Sequence, residues 1–453
     1  MKFTKKIQKK MSVWQYLALG YLLVILIGSI LLVLPFSTKS GSTSYLDALF
    51  TATSATCVTG LIVVDTAVHW SGFGQAVILL LIQTGGLGFA TFVTVVFLMI
   101  RRGTLGVYQK RTIMQTFGGK NSSGAGTLIL RVVVGTFVIE AVGAFALAFR
   151  FVPDFGWGKG IYIAVFHAVS AFCNAGFDVL GVVGEEFVSL TAYATDPLVS
   201  LVIPVLIFIG GLGFCVWGDL MDSRFRWKKM QFYTKFVLAI SGVLVVLSTC
   251  LFLLFERNNP AYADFNFGQK LLCSFFLANT PRTAGFSTAG MSTLSDSGYL
   301  LMLILMFIGG CSGSTAGGIK VSTFAVVVAG MWAVLRGRRD IDMGKRRISN
   351  ALFGQALAIF AAYLAIILGS TLVICAIEPT GSFQAVLFET VSALGTVGLS
   401  MGLTPTLRTA SKLIIILLMY MGRAGVLTLA FAIGKKRSEA QIRRPVADTL
   451  YIG

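Results

Sequence analysis

The sequence predicts an all-α integral membrane protein of four tandem units. Each unit is a long helix, a short re-entrant helix, a glycine-bearing loop and a second long helix, giving eight transmembrane helices and four re-entrant helices around one central pore. Three observations predict it. Of 453 residues, 56% are hydrophobic and only 12% are charged, a balance unlike that of soluble domains. Apolar runs of spanning length begin near residues 13, 74, 127, 198, 235, 299, 350 and 408, and about 20 such residues cross a hydrocarbon core of about 30 Å. The third observation is a motif that recurs four times along the chain.

Taken in order, residues 1–12 form a cytoplasmic segment carrying Lys2, Lys5, Lys6, Lys9 and Lys10 ahead of "YLALGYLLVILIGSILLVLPF". Lysines before an apolar run also open a secretory signal. This run exceeds a signal core and no small-residue cleavage site follows it, so it reads as a retained helix. The first unit occupies 13–102 and is followed by a cytoplasmic loop, 103–125. The second unit is 126–222 with loop 223–234, the third 235–336 with loop 337–349, and the fourth 350–434 with a cytoplasmic tail, 435–453.

The formal net charge of +18 takes its meaning from its placement. The lysines of the first segment, then Arg101, Arg102, Lys110, Arg111 and Lys120, then Arg224, Arg226, Lys228, Lys229 and Lys235, then "RGRRDIDMGKRR", then Lys435, Lys436, Arg437, Arg443 and Arg444 hold 26 of the 37 basic residues. These clusters fall in alternate gaps between the runs, as the positive-inside rule requires when both termini are cytoplasmic in a cell-membrane protein. No cluster is interleaved with aromatics on a soluble module, so nucleic acid is not a partner. Anionic lipid headgroups and a cytoplasmic protein are the alternative partners for these loops. Seven cysteines, at 57, 173, 215, 250, 273, 311 and 375, show no metal-ligand spacing and read as small buried hydrophobes. With His69 and His167 the only histidines, a His-based metal site or catalytic triad is hard to build. The "NSS" at Asn121 lies in a predicted cytoplasmic gap and is not read as a glycosylation site.

The recurring motif places a Phe ten positions before a Gly. It appears as "FTATSATCVTGL" with Gly60, "FHAVSAFCNAGF" with Gly176, "FFLANTPRTAGF" with Gly285 and "FETVSALGTVGL" with Gly398, the glycines 116, 109 and 113 residues apart. Six residues before each stands Ser54, Ser170, Asn279 or Ser392. The segment before each glycine has about a dozen residues and reaches only about 18 Å, so it enters the membrane and turns back. Non-helical backbone at that depth is tolerated where protein buries it or it lines a watery path. Four copies can surround one axis. The second long runs carry a further landmark in "QTGGLGF", "IFIGGLGF", "MFIGGCSGSTAGG" and "YMGRAGV", where the first glycine follows the loop glycine by 25, 34, 24 and 24 residues. Regular spacing suggests a role in the path; close helix packing is the competing account.

A dehydrated monovalent cation needs several oxygens at fixed distance, which a ring of backbone carbonyls supplies. Glycine lets such backbone take positive φ. None of the four loops contains Asp or Glu between five residues before the glycine and one after it, which disfavours a carboxylate ring for a divalent ion. A short helix whose C-terminus points inward adds partial negative charge. Arg282 is out of place on a cation path, so its side chain is expected to turn to the back of the loop or to the mouth. "GGCSGSTAGGIK", from Gly309 to Lys320, interrupts a span with too many breakers for a continuous helix. It reads as an irregular segment and a movable barrier, with a mere kink between packed helices as the alternative. Arg423 stands where the other units have Gly86, Gly211 and Gly310. Mid-span arginine costs about 2.5–3.5 kcal/mol on insertion scales, so it faces the aqueous path as a brake on cations or clamps freed carbonyls. Glu140 and Glu389 read as hydrogen-bonded supports, His167 as a structural residue, and Asp219 and Asp222 as a solvated helix end.

On "SATCVTGL", "NTPRTAGFST" and "CSGSTAGGIK", the sequence resembles the Trk/Ktr/HKT superfamily of potassium transporters over essentially its whole length. Its short loops make it most similar to the membrane subunits of the Ktr subgroup. The resemblance implies a potassium-channel-like fold and uptake of K+ through one filter, formed by Val58, Thr59 and Gly60, Asn174, Ala175 and Gly176, Thr283, Ala284 and Gly285, and Thr396, Val397 and Gly398. It implies a gate made of Gly309, Gly310, Cys311, Ser312, Gly313, Ser314, Thr315, Ala316, Gly317, Gly318 and Lys320 together with Arg423. Arg282 fits the family's third loop. Plant relatives that prefer sodium carry Ser at the first filter position, so Gly60 implies potassium, with Na+ as a candidate activator. The resemblance also implies a homodimer with one pore per subunit, seated on an octameric cytoplasmic ring of RCK-type regulatory subunits that bind ATP or ADP. This chain has no Walker loop and no dinucleotide fingerprint on a soluble fold, so nucleotide would act through that ring. The basic loop from Arg336 to Arg347 and the tail after Lys435 are the expected contacts. A secondary transporter for an organic solute would instead show inverted repeats, and an intramembrane enzyme would show a nucleophile with its base; the sequence shows neither.

Overall fold

Polar residues that can accept a backbone N–H decide where most helices begin. The computed structural model describes residues 13–88, 91, 125–181, 186–338, 340–343, 346–426 and 428–429. The first lysine cluster, the basic residues from Arg101 to Lys120, Asn121, Arg339, Lys345 and the tail from Lys435 lie outside the described residues. Helix α1 is Val13–Val33. Helix α2 (Tyr45–Cys57) starts at Ser44 and α3 (Gly72–Leu87) at Ser71, each serine hydroxyl accepting an amide of the first turn. Helix α4 (Ala125–Phe172) runs 48 residues with one break, at Gly156 (φ 79°). Helices α5 (Pro197–Gly211), capped by Asp196, and α6 (Phe214–Asp222) follow.

Next come α7 (Phe232–Phe255) and α8 (Phe267–Asn279), the latter opened by a reciprocal Asn266–Gln269 capping box. Ser295 caps α9 (Asp296–Phe307), and α10 is Val321–Leu335. Ser349 caps α11 (Asn350–Ile377), Ser382 caps α12 (Phe383–Gly395), and α13 is Thr409–Ala424. The predicted loop 337–349 contains strands β1 (Ile341–Met343) and β2 (Arg346–Ile348), paired antiparallel with Ile341 opposite Ile348. These strands are a small departure from an all-α chain. Arg346 packs over the Phe232 ring of α7, which gives the hairpin a seat.

Helices α2, α8 and α12 have 13 residues each, about 20 Å at 1.5 Å per residue, too short to span a bilayer. Four described helices, α1, α4, α7 and α11, are long and apolar enough to do so, and the α5–α6 pair is a fifth if its 91° bend is counted within one span. The eight long helices expected from the apolar runs are therefore not all continuous. The cause is glycine in the left-handed region just past the paired-glycine landmark: Gly88 (φ 83°), Gly213 (φ 95°) and Gly425 (φ 85°) follow α3, α5 and α13, and such a residue ends a helix.

The buried apolar side chains form two large clusters. One includes Leu32, Ile78, Phe151 and Ile203; the other includes Phe252, Met306, Ile367 and Phe388. Apolar residues on the opposite faces of the long helices, such as Phe145, Val246 and Leu372, are exposed, as a lipid-facing surface requires. Satisfied helical backbone with apolar faces outward is the form a bilayer accepts.

Candidate functional site

The four loops form where α2, α8, α12 and the stretch of α4 after its Gly156 break end. In three of them the last turn closes with a six-to-one backbone bond, from the amides of Thr59, Ala175 and Val397 to the carbonyls of Ser54, Ser170 and Ser392, each at 2.8 Å. The residue before each of these amides, Val58 (φ 56°), Asn174 (φ 58°) or Thr396 (φ 52°), is left-handed, which is the Schellman ending of a helix. Glycine usually occupies that position. A β-branched residue there costs about 1–2 kcal/mol, and such strain persists only where the surroundings over-determine it.

The third loop is one residue tighter. Ala284 bonds the Thr280 carbonyl, four residues back, at 3.0 Å, with Thr283 left-handed (φ 64°). Asn279, placed by sequence register with Ser54, Ser170 and Ser392, therefore does not share their role. Its Nδ2 bonds the Phe275 carbonyl of its own helix at 2.8 Å. Thr280 takes the place of Ser170: Ser170 donates to the Phe177 carbonyl at 2.7 Å, and Thr280 donates likewise to the Phe286 carbonyl. Ser54 and Ser392 instead accept the amides of Gly60 and Gly398, both at 3.1 Å.

Gly60, Gly176, Gly285 and Gly398 all have positive φ, 91°, 69°, 78° and 90°, and they meet in a closed ring. A Cβ on Gly60 would lie 2.5 Å from the Ala175 carbonyl oxygen, on Gly176 2.7 Å from that of Ala284, and on Gly285 2.6 Å from that of Val397; on Gly398 it would overlap that of Thr59. Each loop thus bears on the next in chain order, and the fourth bears on the first. Any side chain at these positions would enter its neighbour's backbone. The flanking residues are fully buried, and the hydroxyls of Thr59, Thr283 and Thr396 have no hydrogen-bond partner. Buried unpaired hydroxyls call for an explanation, and oxygen donors beside a ring of carbonyls suit an alkali cation. Among the described residues no group of His, Cys, Asp and Glu could hold a transition metal.

The supporting side chains lie behind the ring. The Arg282 guanidinium is buried at the back of its loop, over the Phe208 ring of α5, with Nη2 donating to Ser241 of α7 at 3.1 Å. Glu389 accepts from Ser400, from the Met401 amide at 3.2 Å and from Thr404 at 2.6 Å, fixing the chain after the fourth loop. Glu140 accepts from Gln83 at 3.2 Å and lies against Cys173. His167 is packed among Phe151, Phe166 and Phe286, with Nδ1 2.8 Å from the Ile163 carbonyl. Asp222 is paired with Arg131 at 2.8 Å on an exposed surface, and Asp219 accepts the Gln231 amide.

The paired glycines have a packing reason that sequence reading left open. A Cβ on Gly85, Gly210 or Gly422 would overlap the carbonyl oxygen of Thr56, Phe172 or Leu394, each four residues before a ring glycine. Close backbone approach thus seats the second helix against the short one. The third copy differs, because Gly309 faces Gly317 of its own segment. From Ile308 to Lys320 the chain is irregular. Its two ends are joined where the Gly309 amide bonds the Ile319 carbonyl at 2.9 Å and the Val321 amide bonds that of Gly310 at 3.0 Å.

Between those ends the segment docks on the α5–α6 bend. Cys311 and Thr315 donate to the Gly211 and Gly210 carbonyls at 3.0 and 3.3 Å, and the Phe214 amide donates to the Gly313 carbonyl at 2.8 Å. Ser312 pairs with Ser322 at 3.2 Å, Ser314 donates to the Cys311 carbonyl, and Lys320 Nζ donates to the carbonyls of Ala316 and Gly317 at 2.8 and 3.3 Å. A Cβ on Gly317 would meet Thr396, and one on Gly318 would lie 3.0 Å from the Gly395 carbonyl. Arg423 donates through Nη1 to the Thr315 carbonyl and through Nη2 to that of Gly85. A cavity lined by Tyr21, Gly88, Phe214, Ser314, Lys320 and Arg423 adjoins the segment.

The TrkH family, described as cation transport protein, matches residues 15–443. The chain belongs to the TrkH family. TrkH-family relatives include the potassium/sodium uptake protein NtpJ of Enterococcus hirae, 40% identical over 97% of both chains. The Ktr system potassium uptake protein B of Bacillus subtilis is 40% identical over 95% of both, and its Vibrio alginolyticus namesake is 38% identical over 96% of this chain and 94% of that one. These TrkH relatives are transporters rather than enzymes, and the resemblance to Ktr membrane subunits rests on them. The fold is that of the potassium transporter TrkH from Vibrio parahaemolyticus, with a TM-score of 0.66 and 19% identity over 92% of this chain and 84% of that one. TrkH membership and the apolar helices make this a membrane protein.

Proposed function

We propose that this protein takes up K+ across the cell membrane through the ring of four glycine loops, along an inward path barred by the glycine-rich segment. The observation that carries the reading is the closed ring itself, in which each loop glycine abuts the carbonyl that precedes the next loop's glycine. Such a ring offers peptide oxygens at fixed spacing and no carboxylate, suited to a dehydrated monovalent ion. The names of the relatives, potassium uptake proteins in two cases and a potassium/sodium uptake protein in the third, agree with K+ as cargo and keep Na+ as a second or activating ion. In this reading the chain is four units with the boundaries given above, each contributing two spans, one re-entrant helix and one loop to a single pore.

In this reading both termini are cytoplasmic, which the basic clusters in alternate gaps support. The segment from Gly309 to Lys320 is the gate, and Arg423 serves it in two ways: its guanidinium holds the Thr315 and Gly85 carbonyls, and its charge opposes a passing cation. Two copies of the chain sit on a cytoplasmic nucleotide-binding ring, which moves the gate when ATP replaces ADP. Expression in a strain lacking potassium uptake, with and without sodium, tests the central claim. Growth on low potassium supports it, and no growth, despite normal membrane insertion, by either the full chain or a variant lacking Cys311 to Gly317 refutes it.

A further inference from the structure

Of the four left-handed residues that precede the ring glycines by two positions, three are Val58, Thr283 and Thr396, and the other is Asn174. An asparagine there can bond in two directions, and both are used. Its Nδ2 donates to the Arg282 carbonyl of the third loop at 3.1 Å. Its Oδ1 faces the Thr315 hydroxyl of the glycine-rich segment at 3.2 Å. That hydroxyl has one proton, shared between Asn174 Oδ1 and the Phe172 carbonyl, also at 3.2 Å. Thr315 is held from its other sides by Gly210 and Arg423. A continuous hydrogen-bonded line therefore runs from Arg423 through Thr315 and Asn174 to the third loop, and both Thr315 and Asn174 are fully buried. Against the fourth loop, by contrast, the segment brings the close approach of Gly317 and Gly318 and the apolar packing of Ile319.

We propose that the Asn174 side chain couples the glycine-rich segment to the ring. It is a positioning residue that keeps the second and third loops in ion-selecting register while Thr315 is seated, so segment position and ion preference form one linked equilibrium. By reciprocity, an ion that fits the ring steadies Thr315 in its seat. The proposal rests on the ring and segment acting as filter and gate. Its test is K+ and Na+ uptake by the purified full chain in lipid vesicles.

Thr315→Val keeps the shape and removes the hydroxyl. It should lower the preference for K+ over Na+ about fivefold, the effect of losing one neutral hydrogen bond, and Thr315→Ser should restore it. Asn174→Gly, which suits the left-handed backbone, should give the same fall, and adding Thr315→Val to it should give no further fall. A purely structural role would lower uptake of both ions alike. Unchanged preference in Thr315→Val, or falls that multiply in the double variant, overturns the coupling. If Asn174→Gly fails to insert, the Thr315→Val and Thr315→Ser pair decides alone. Gly285→Ser measured alongside separates the two readings: if it too leaves the preference unchanged, the ring reading fails, whereas a fall there with none in Thr315→Val removes only the coupling.

Discussion

Replacing Gly285 with serine puts the ring to its sharpest test. The new Cβ would stand 2.6 Å from the Val397 carbonyl oxygen, 3.0 Å from the Gly176 Cα and 3.3 Å from the Gly398 Cα, so it is crowded by two neighbouring loops at once. Ordinary contact starts at 3.4 Å, so the Val397 oxygen must retreat about 0.8 Å, beyond the ~0.5 Å within which a binding constellation must be held. Because the ring is closed, that retreat cannot be absorbed without shifting the fourth loop against the first. A left-handed serine at φ 78° adds about 1–2 kcal/mol of its own. Strain relieved by moving the ring carbonyls is felt by the ion that fits the unmoved ring, so about 1–2 kcal/mol bounds the loss at a factor of about 5–30, and the K+ over Na+ uptake ratio in vesicles should fall by up to that much. Gly369→Ser is the control, since Gly369 has nothing within 4 Å of its Cβ position. Wild-type discrimination in Gly285→Ser, at normal yield, would refute the reasoning.

Three further outcomes follow from the same contacts. Deletion of Cys311 to Gly317 removes the segment bound to Gly210 and Gly211 and should raise K+ flux without any cytoplasmic partner; unchanged flux in vesicles counts against a gate. Arg423→Ala leaves the Thr315 and Gly85 carbonyls without their charged donor, so uptake should quicken while thermal stability in detergent falls by about 1.5–3 kcal/mol; wild-type values for both would dismiss clamp and brake together. Glu389→Ala strips the acceptor from Ser400, Met401 and Thr404 and should sharply reduce folded yield by size-exclusion chromatography. Glu389→Gln, which keeps one carbonyl oxygen, should retain most of it.

The placement of the four loops was legible because a Phe-to-Gly interval of ten residues leaves the same room for a short helix and its turn each time. Helix endings were less so. Val58, Thr283 and Thr396 are β-branched residues at positive φ, which no propensity predicts, since the cost is borne by tertiary packing. Only Asn174 carried a local hint. The one-residue tightening of the third loop was hidden because Asn279 and Thr280 are both polar and adjacent, and register alone cannot tell which one turns back. The α5–α6 bend did have a signal, in the glycine that closes "GGLG" at Gly88 and Gly213 and "GRAG" at Gly425. The glycine three residues after the first of each landmark takes the left-handed turn. The contacts joining Thr315 to Asn174 and Arg282 span more than 100 residues of chain, and no spacing rule reaches that far.

A single chain that supplies all four quadrants is free to make them unequal. In an assembly of identical subunits, an amide strut or a guanidinium would have to appear in every quadrant, and Asn174 would need four threonines to answer it. Here the second, third and fourth quadrants carry Asn174, the Gly309–Lys320 segment and Arg423 in turn, so in the proposed function control and conduction can diverge by single substitutions while all four quadrants keep a loop on the ring.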